Sequence, residues 1–195
     1  MRIIAGSAKG KTLISPTDIR TRPTSDRARE GLFSSLESEF SSLQDLYFLD
    51  LFAGSGAVGV EALSRGAKLV HAVESESDIS QLAIENFELI KKPSGKFRVF
   101  HSKAARFLES DHAGMQGAYD IIFMDPPYEL GNSDIEELLK IIVERKLLQP
   151  RGVIAIERKT KKLPFAWPPT MEELKVRSYG QGSIFYGNYS ASVLP

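Results

Sequence analysis

Asp125, Pro126, Pro127 and Tyr128 put a carboxylate, two rings without backbone donors and an aromatic face in consecutive positions. The apolar run 119–124 precedes them and reads as a buried strand, so the carboxylate stands at a strand's end. Each proline removes an N–H donor and leaves a carbonyl free to accept. Asp125 and the Pro126 carbonyl can therefore accept both hydrogens of one amino group. Tyr128 can stack on the ring that carries it. This chemistry suits the exocyclic amine of a nucleobase. The same residues also fit a plain proline turn after a core strand, with Tyr128 as packing.

A second constellation lies upstream. The run 47–52 reads as a strand, Ala53-Gly54-Ser55-Gly56-Ala57-Val58-Gly59 follows, and a helical stretch then runs to Gly66. The glycines at 54, 56 and 59 match G-x-G-x-x-G between a strand and a helix, which allows a tight turn and close approach of a ligand. The next strand, 68–73, leads to Glu74, about 20 residues past the glycines, where an acidic side chain can hold ribose hydroxyls. Two ligands fit. A dinucleotide would set its pyrophosphate at the helix N-terminus. S-adenosylmethionine has no phosphate and carries an adenosine and an amino-acid end. Asp50, just before the loop, favours the second, because a carboxylate attracts an ammonium and repels a pyrophosphate. Asp50 could instead cap a turn, but strand ends are where open α/β sheets bind ligands. Phe52, Gly54, Ser55, Gly56 and Glu74 join Asp50 as the expected cofactor residues.

Asp50-Leu51-Phe52-Ala53-Gly54-Ser55-Gly56 resembles the first motif of S-adenosylmethionine-dependent methyltransferases. Residues 125–128 resemble the (Asp/Asn)-Pro-Pro-(Tyr/Phe) motif of enzymes that methylate exocyclic amines. The N-terminal Arg2-Ile3-Ile4-Ala5-Gly6 and the segment 22–33, beginning Arg22-Pro23-Thr24, are similar to the RsmD family of bacterial 16S rRNA guanine-N2 methyltransferases. The similarity runs from residue 1 to the region 179–186. It implies S-adenosylmethionine as cofactor, a catalytic role for Asp125, Pro126, Pro127 and Tyr128, and 16S rRNA in the small subunit or a precursor as partner. The chain departs from many relatives at Ala8 and Lys9, where they carry an aromatic and an arginine. At Lys103 many methyltransferases place an acceptor for the adenine amine. Lysine cannot accept, so that contact is expected from backbone or from Ser102.

The elements that must position these residues alternate. Strands are expected at 46–51, 68–73, 97–101, 119–124 and 152–157, and helices at 56–65, 77–91, 103–110 and 133–145. Alternation of this kind implies a parallel sheet covered on both faces. Runs at 173–180 and 183–190 flank Gly180-Gln181-Gly182 and read as an antiparallel hairpin. Near the start, 2–5 and 11–14 read as a short hairpin. A helix capped by Thr24 or Ser25 follows, with Ala28, Leu32, Leu36 and Phe40 on its apolar face. The expected organisation is an α/β, Rossmann-like methyltransferase domain over 23–195, preceded by a basic hairpin extension over 1–22.

Composition narrows the partners. At 195 residues, 42% apolar and 26% charged, the chain fits one ordinary globular domain. It has no cysteine, and its three histidines lack metal-ligand spacing, so neither a disulfide nor a metal site is expected. The start is too short and too soon interrupted for a signal peptide, and no apolar run nears the ~20 residues of a membrane helix. A cytoplasmic monomer is expected. Net charge is zero, yet basic residues gather at Arg2, Lys9, Lys11, Arg20 and Arg22 and again at Arg158, Lys159, Lys161 and Lys162. Beside a base-gripping motif these read as phosphate contacts. Arg2, Lys9, Lys11, Arg20 and Arg22 are the expected RNA-binding set. The competing readings are a DNA adenine or cytosine amino-methyltransferase, a catalytically silent RNA-binding assembly factor, and a nicotinamide dehydrogenase. The first is disfavoured because no separate target-reading domain is evident.

Overall fold

Side-chain alternation along each strand sorts the apolar residues onto two faces of one sheet. The computed structural model describes residues 1–15, 26–114, 118–159, 165–180 and 182–192. Its elements are α1 (Asp26–Phe40), β1 (Tyr47–Asp50), α2 (Ala57–Ser64), β2 (Leu69–Glu74), α3 (Ser77–Glu88), β3 (Lys96–His101), α4 (Ala104–Glu109), α5 (Asp111–Gly114), β4 (Tyr119–Met124), α6 (Asn132–Glu144), β5 (Leu148–Arg158), β6 (Met171–Tyr179) and β7 (Gly182–Tyr189). The strand order is β3-β2-β1-β4-β5-β7-β6. The first five are parallel, and β7 pairs antiparallel with both β5 and β6. This is the Rossmann-like methyltransferase fold, with the expected antiparallel hairpin at its end.

Phe48, Val70, Ala72, Ile121 and Phe123 face one layer, where Leu32, Phe33 and Leu36 of α1 and the whole of α2 pack. Leu49, Val73, Ile122 and Met124 face the other, under Phe107 of α4 and Leu138, Leu139 and Ile142 of α6. All eight residues of α2 are buried, so this helix crosses the inside of the domain. His71 points into the second layer, where its Nδ1 meets the Tyr119 hydroxyl at 2.7 Å. Burial there pushes its pKa down to about 4 and the Tyr119 hydroxyl up.

Several boundaries differ from expectation. Strand β5 begins four residues before the expected 152, because Leu148 pairs with Tyr119 across an irregular register. Helix α4 stops at Glu109, where Ser110 Oγ turns back to the Phe107 carbonyl at 2.6 Å, and the short α5 follows. The expected pairing of 2–5 with 11–14 is present but short: Arg2 bridges Thr12, the Ile3 N–H donates to the Lys11 carbonyl at 2.9 Å and the Leu13 N–H to the Met1 carbonyl at 3.0 Å, and it does not extend to Ile4 and Ala5. The reason is that the Ile4 and Ala5 N–H groups donate to Glu61 of α2, at 2.7 and 2.9 Å, instead of to a partner strand. Thr24, Ser25, Gln181, Lys161, Lys162 and the boundary at 22/23 lie outside the described residues.

Candidate active site

Because β1, β2 and β4 are adjacent and parallel, their C-terminal ends bring Asp50, Glu74 and Asp125 to one edge of the sheet. Asp50 is in register with Ala72 of β2 and Phe123 of β4, two residues short of Glu74 and Asp125 respectively. Strand order reverses between β1 and β4, so this edge is a topological switch point, the usual ligand crevice of such sheets.

The loop after β1 is tightly secured. Gly54 and Gly56 have φ of +53° and +79°, which favour glycine. The Gly54 N–H donates to Glu74 Oε2 at 2.9 Å, and the Ala53 N–H to the Val73 carbonyl at 2.9 Å. Glu74 Oε1 accepts from the Glu76 N–H at 2.9 Å. Ser55 is buried, and its carbonyl accepts from Asn86 Nδ2 at 2.9 Å. Gly59 lets α2 approach closely: a Cβ there would lie 2.7 Å from the Phe87 ring. Phe52 is half-buried against the second apolar layer. Ser102 follows β3, and its N–H donates to the Glu74 carbonyl at 2.9 Å, so it stands beside the end of β2.

Asp50 is 1% exposed. Its Oδ2 accepts from the Gly59 N–H at 3.1 Å, while Oδ1 is buried without a hydrogen-bond partner. Burial pushes its pKa up to about 7, with Asp125 and Glu74 adding repulsion against the stabilising N–H groups of Gly59 and Phe52. A buried carboxylate with an oxygen to spare is the right partner for a ligand cation.

The turn after β4 is more open. Asp125 is half-buried and Pro126 buried, while Pro127 is exposed and Tyr128 is 55% exposed. The Pro127 carbonyl accepts from the Leu130 N–H at 3.0 Å, which closes the turn. Among the described residues no backbone donor reaches the Pro126 carbonyl. The Lys159 ammonium lies 5.2 Å from the centre of the Tyr128 ring.

Of the expected RNA-binding residues, Arg2, Lys9 and Lys11 lie in the described N-terminal segment. Arg2 and Lys9 are exposed, and Lys11 Nζ donates to the Leu89 carbonyl at 2.6 Å, just past α3. The Ser7 N–H donates to the carbonyl of Ser64, the last residue of α2, at 2.8 Å. The turn bearing Lys9 and Lys11 is thus held against the ends of α2 and α3. Arg20 and Arg22 lie outside the described residues.

Two residues that the motif reading passed over hold the N-terminal segment in place. Glu61 is fully buried and accepts from Ile4, Ala5 and Arg65 Nε (2.9 Å), with Arg29 Nε at 3.9 Å. Asn86 is also fully buried and bonds the Ile14 N–H and carbonyl as well as Ser55. A lone carboxylate inside the apolar stretch 57–63 was the available signal for Glu61. Asn86 carries no such signal. Among the described residues no cluster of three or more His, Asp or Glu side chains could hold a metal ion, and no helix is long and apolar enough to cross a membrane.

A family model described as Conserved hypothetical protein 95 matches residues 1–188. Ribosomal RNA small subunit methyltransferase D of Escherichia coli K12 is 37% identical over 157 residues, covering 80% of this chain and 74% of that protein. The protein of the same name from Haemophilus influenzae is 32% identical over 180 residues, covering 92% and 89%. The solved structure of the Escherichia coli protein yhhF superposes with a TM-score of 0.81 at 31% identity, covering 97% of this chain and 98% of that one. Fold and site together define an S-adenosylmethionine-dependent methyltransferase. Within that class, the chain belongs to the Conserved hypothetical protein 95 family, which is the RsmD family.

Proposed function

We propose that this protein transfers a methyl group from S-adenosylmethionine to the exocyclic N2 of a guanine in 16S rRNA, acting as a cytoplasmic monomer on the small subunit or a precursor. The observation that carries the reading is the arrival of Asp125, on its open proline turn, beside the buried Asp50 and Glu74 at one sheet edge. Family membership and the names of the relatives support rRNA as the substrate class.

The residues fit the cofactor. The unpartnered Asp50 Oδ1 suits its ammonium, and Glu74 suits its ribose. An added Cβ at Gly54 would meet nothing within 4 Å, so there is room beside the loop. Ser102 and the backbone near it border the space for adenine. When bound, S-adenosylmethionine supplies a methyl group on a sulfonium, already a good leaving group.

The chain's own contribution is orientation. The guanine amine is a poor nucleophile because its lone pair is conjugated with the ring. Asp125 and the Pro126 carbonyl accept its two hydrogens and turn the lone pair toward the cofactor half of the site. Tyr128, exposed and flat, stacks the base once it has left its neighbours. Positioning of this kind supplies much of a rate enhancement. The amine proton becomes acidic once nitrogen has gained its fourth bond, so Asp125 need not be a strong base.

The test is mass analysis of 16S rRNA nucleosides from cells with and without the protein. Loss of one N2-methylguanosine, restored by adding the purified protein and S-adenosylmethionine to the deficient particles, is expected. An unchanged methylguanosine content would overturn the reading.

A further inference from the structure

The end of β5 runs beside the catalytic turn. Met124 is in register with Ile156, so Asp125 and Pro126 leave β4 beside Glu157 and Arg158, which stay in the sheet paired with Ile184 and Ser183 of β7. Arg158 Nη2 donates to the Leu130 carbonyl at 3.0 Å, and the Leu130 N–H donates to the Pro127 carbonyl at 3.0 Å. The guanidinium is thus one hydrogen bond from the turn that displays Tyr128. Its neighbour Lys159 approaches the Tyr128 ring itself. Arg158 Nη1 is buried and has no hydrogen-bond partner. A buried donor without an acceptor is a net cost to the fold, so this arginine is poorly explained as a stabilising residue.

We propose that Arg158 is a positioning residue for the target base, fixing the exit of the 125–128 turn so that the Tyr128 ring and the Pro126 carbonyl stand ready for the amine. The inference rests on the amine-methylation reading above. Two short links, Arg158 to Leu130 and Leu130 to Pro127, tie the ring-bearing turn to the rigid end of a central strand. The prolines of the turn donate no backbone hydrogen bond, and Tyr128 is exposed. Lys159 adds a cation beside the stacking ring, within reach of a phosphate belonging to the nucleotide that stacks there.

Single-turnover methylation of small-subunit particles from cells lacking the protein tests this, with Arg158→Met and Arg158→Lys compared at saturating particle and S-adenosylmethionine. Arg158→Met is expected to lower the maximal rate about tenfold or more, with melting temperature and S-adenosylhomocysteine affinity unchanged. Arg158→Lys, which keeps a donor for the Leu130 carbonyl, is expected to recover much of that loss. A normal rate for folded Arg158→Met would overturn the inference. So would a rate loss that merely follows melting temperature or cofactor affinity, or one that Arg158→Lys does not relieve. Asp125→Ala run in parallel keeps the two levels apart. If Asp125→Ala is inactive and Arg158→Met is normal, only the positioning role fails; if Asp125→Ala is normal, the amine-methylation reading fails first.

Discussion

The loop after β1 and the turn after β4 leave neighbouring strands at the same edge of the sheet, yet they are secured in opposite ways. The glycine loop is tied to β2 by Glu74, to α3 by Asn86 and to α2 by Asp50, and much of it is buried. The proline turn ends in a ring that is 55% exposed and is fixed to the sheet through Arg158 and Leu130. A small cofactor, the same in every cycle, is best met by a preformed cleft. A base delivered by a large folded RNA is better met by an open ledge. The difference extends behind the cleft. Helix α2 carries the N-terminal segment on Glu61, so the segment that bears Arg2, Lys9 and Lys11 is anchored to the cofactor half of the domain.

Breaking that rear support should have the largest effect. Glu61→Ala leaves Arg29 and Arg65 short of a buried partner and frees the Ile4 and Ala5 N–H groups. It should cost about 3–5 kcal/mol of stability, read by chemical denaturation, and deletion of the first 15 residues should be destabilising for the same reason. A small change in either case would mean that the segment is a separable arm.

On the open side, Tyr128→Ala should leave melting temperature and cofactor affinity unchanged while removing about 1–3 kcal/mol of base stacking. Tyr128→Phe should be mild, because stacking needs the ring and not the hydroxyl. Parallel losses of stability and activity in Tyr128→Ala would show that the ring packs the fold.

A smaller effect should come from the proton on Asp50. Its folded pKa of about 7 lies above the ordinary carboxylate value, so its contribution to stability is full below about pH 4 and is lost as pH rises through about 7. His71 works in the opposite sense: its pKa of about 4 lies below the ordinary value, so its contribution is lost as pH falls from about 6.5 through 4. Cofactor binding isolates Asp50. An ammonium partner favours the carboxylate, so affinity should rise with pH up to about 7, by less than about 1.4 kcal/mol per pH unit, with proton release. Calorimetry in two buffers at pH 6 measures that release, and Asp50→Asn should abolish it.

The smallest effect should be Glu74→Gln. It keeps an acceptor for the Gly54 N–H but gives up the one for the Glu76 N–H and the charge toward ribose, so cofactor affinity should fall by about 1 kcal/mol. Unchanged affinity by calorimetry would remove the Glu74 charge from the site.

The parts of this molecule that were legible in advance are those whose signal is local. Gly54 and Gly56 need a special backbone, Asp50 and Glu74 end apolar runs, and the alternation of strands and helices predicts the layered sheet. Glu61 and Asn86 were harder to see because their partners lie 57 and 72 residues away in the chain. The N-terminal pairing forms at Met1–Ile3 with Lys11–Leu13, while the Ile4 and Ala5 N–H groups go to a distant carboxylate that no local pattern announces. The Arg158 contact with Leu130 depends on how β4 and β5 align, which no motif encodes.

The central claim is that the open turn performs the orientation while the closed loop only holds the cofactor. Asp125→Ala tests it most directly, with single-turnover methylation of deficient small-subunit particles and S-adenosylhomocysteine affinity measured on the same preparation. The account predicts near-complete loss of transfer with cofactor affinity and melting temperature almost unchanged. Normal turnover by the folded variant would contradict it.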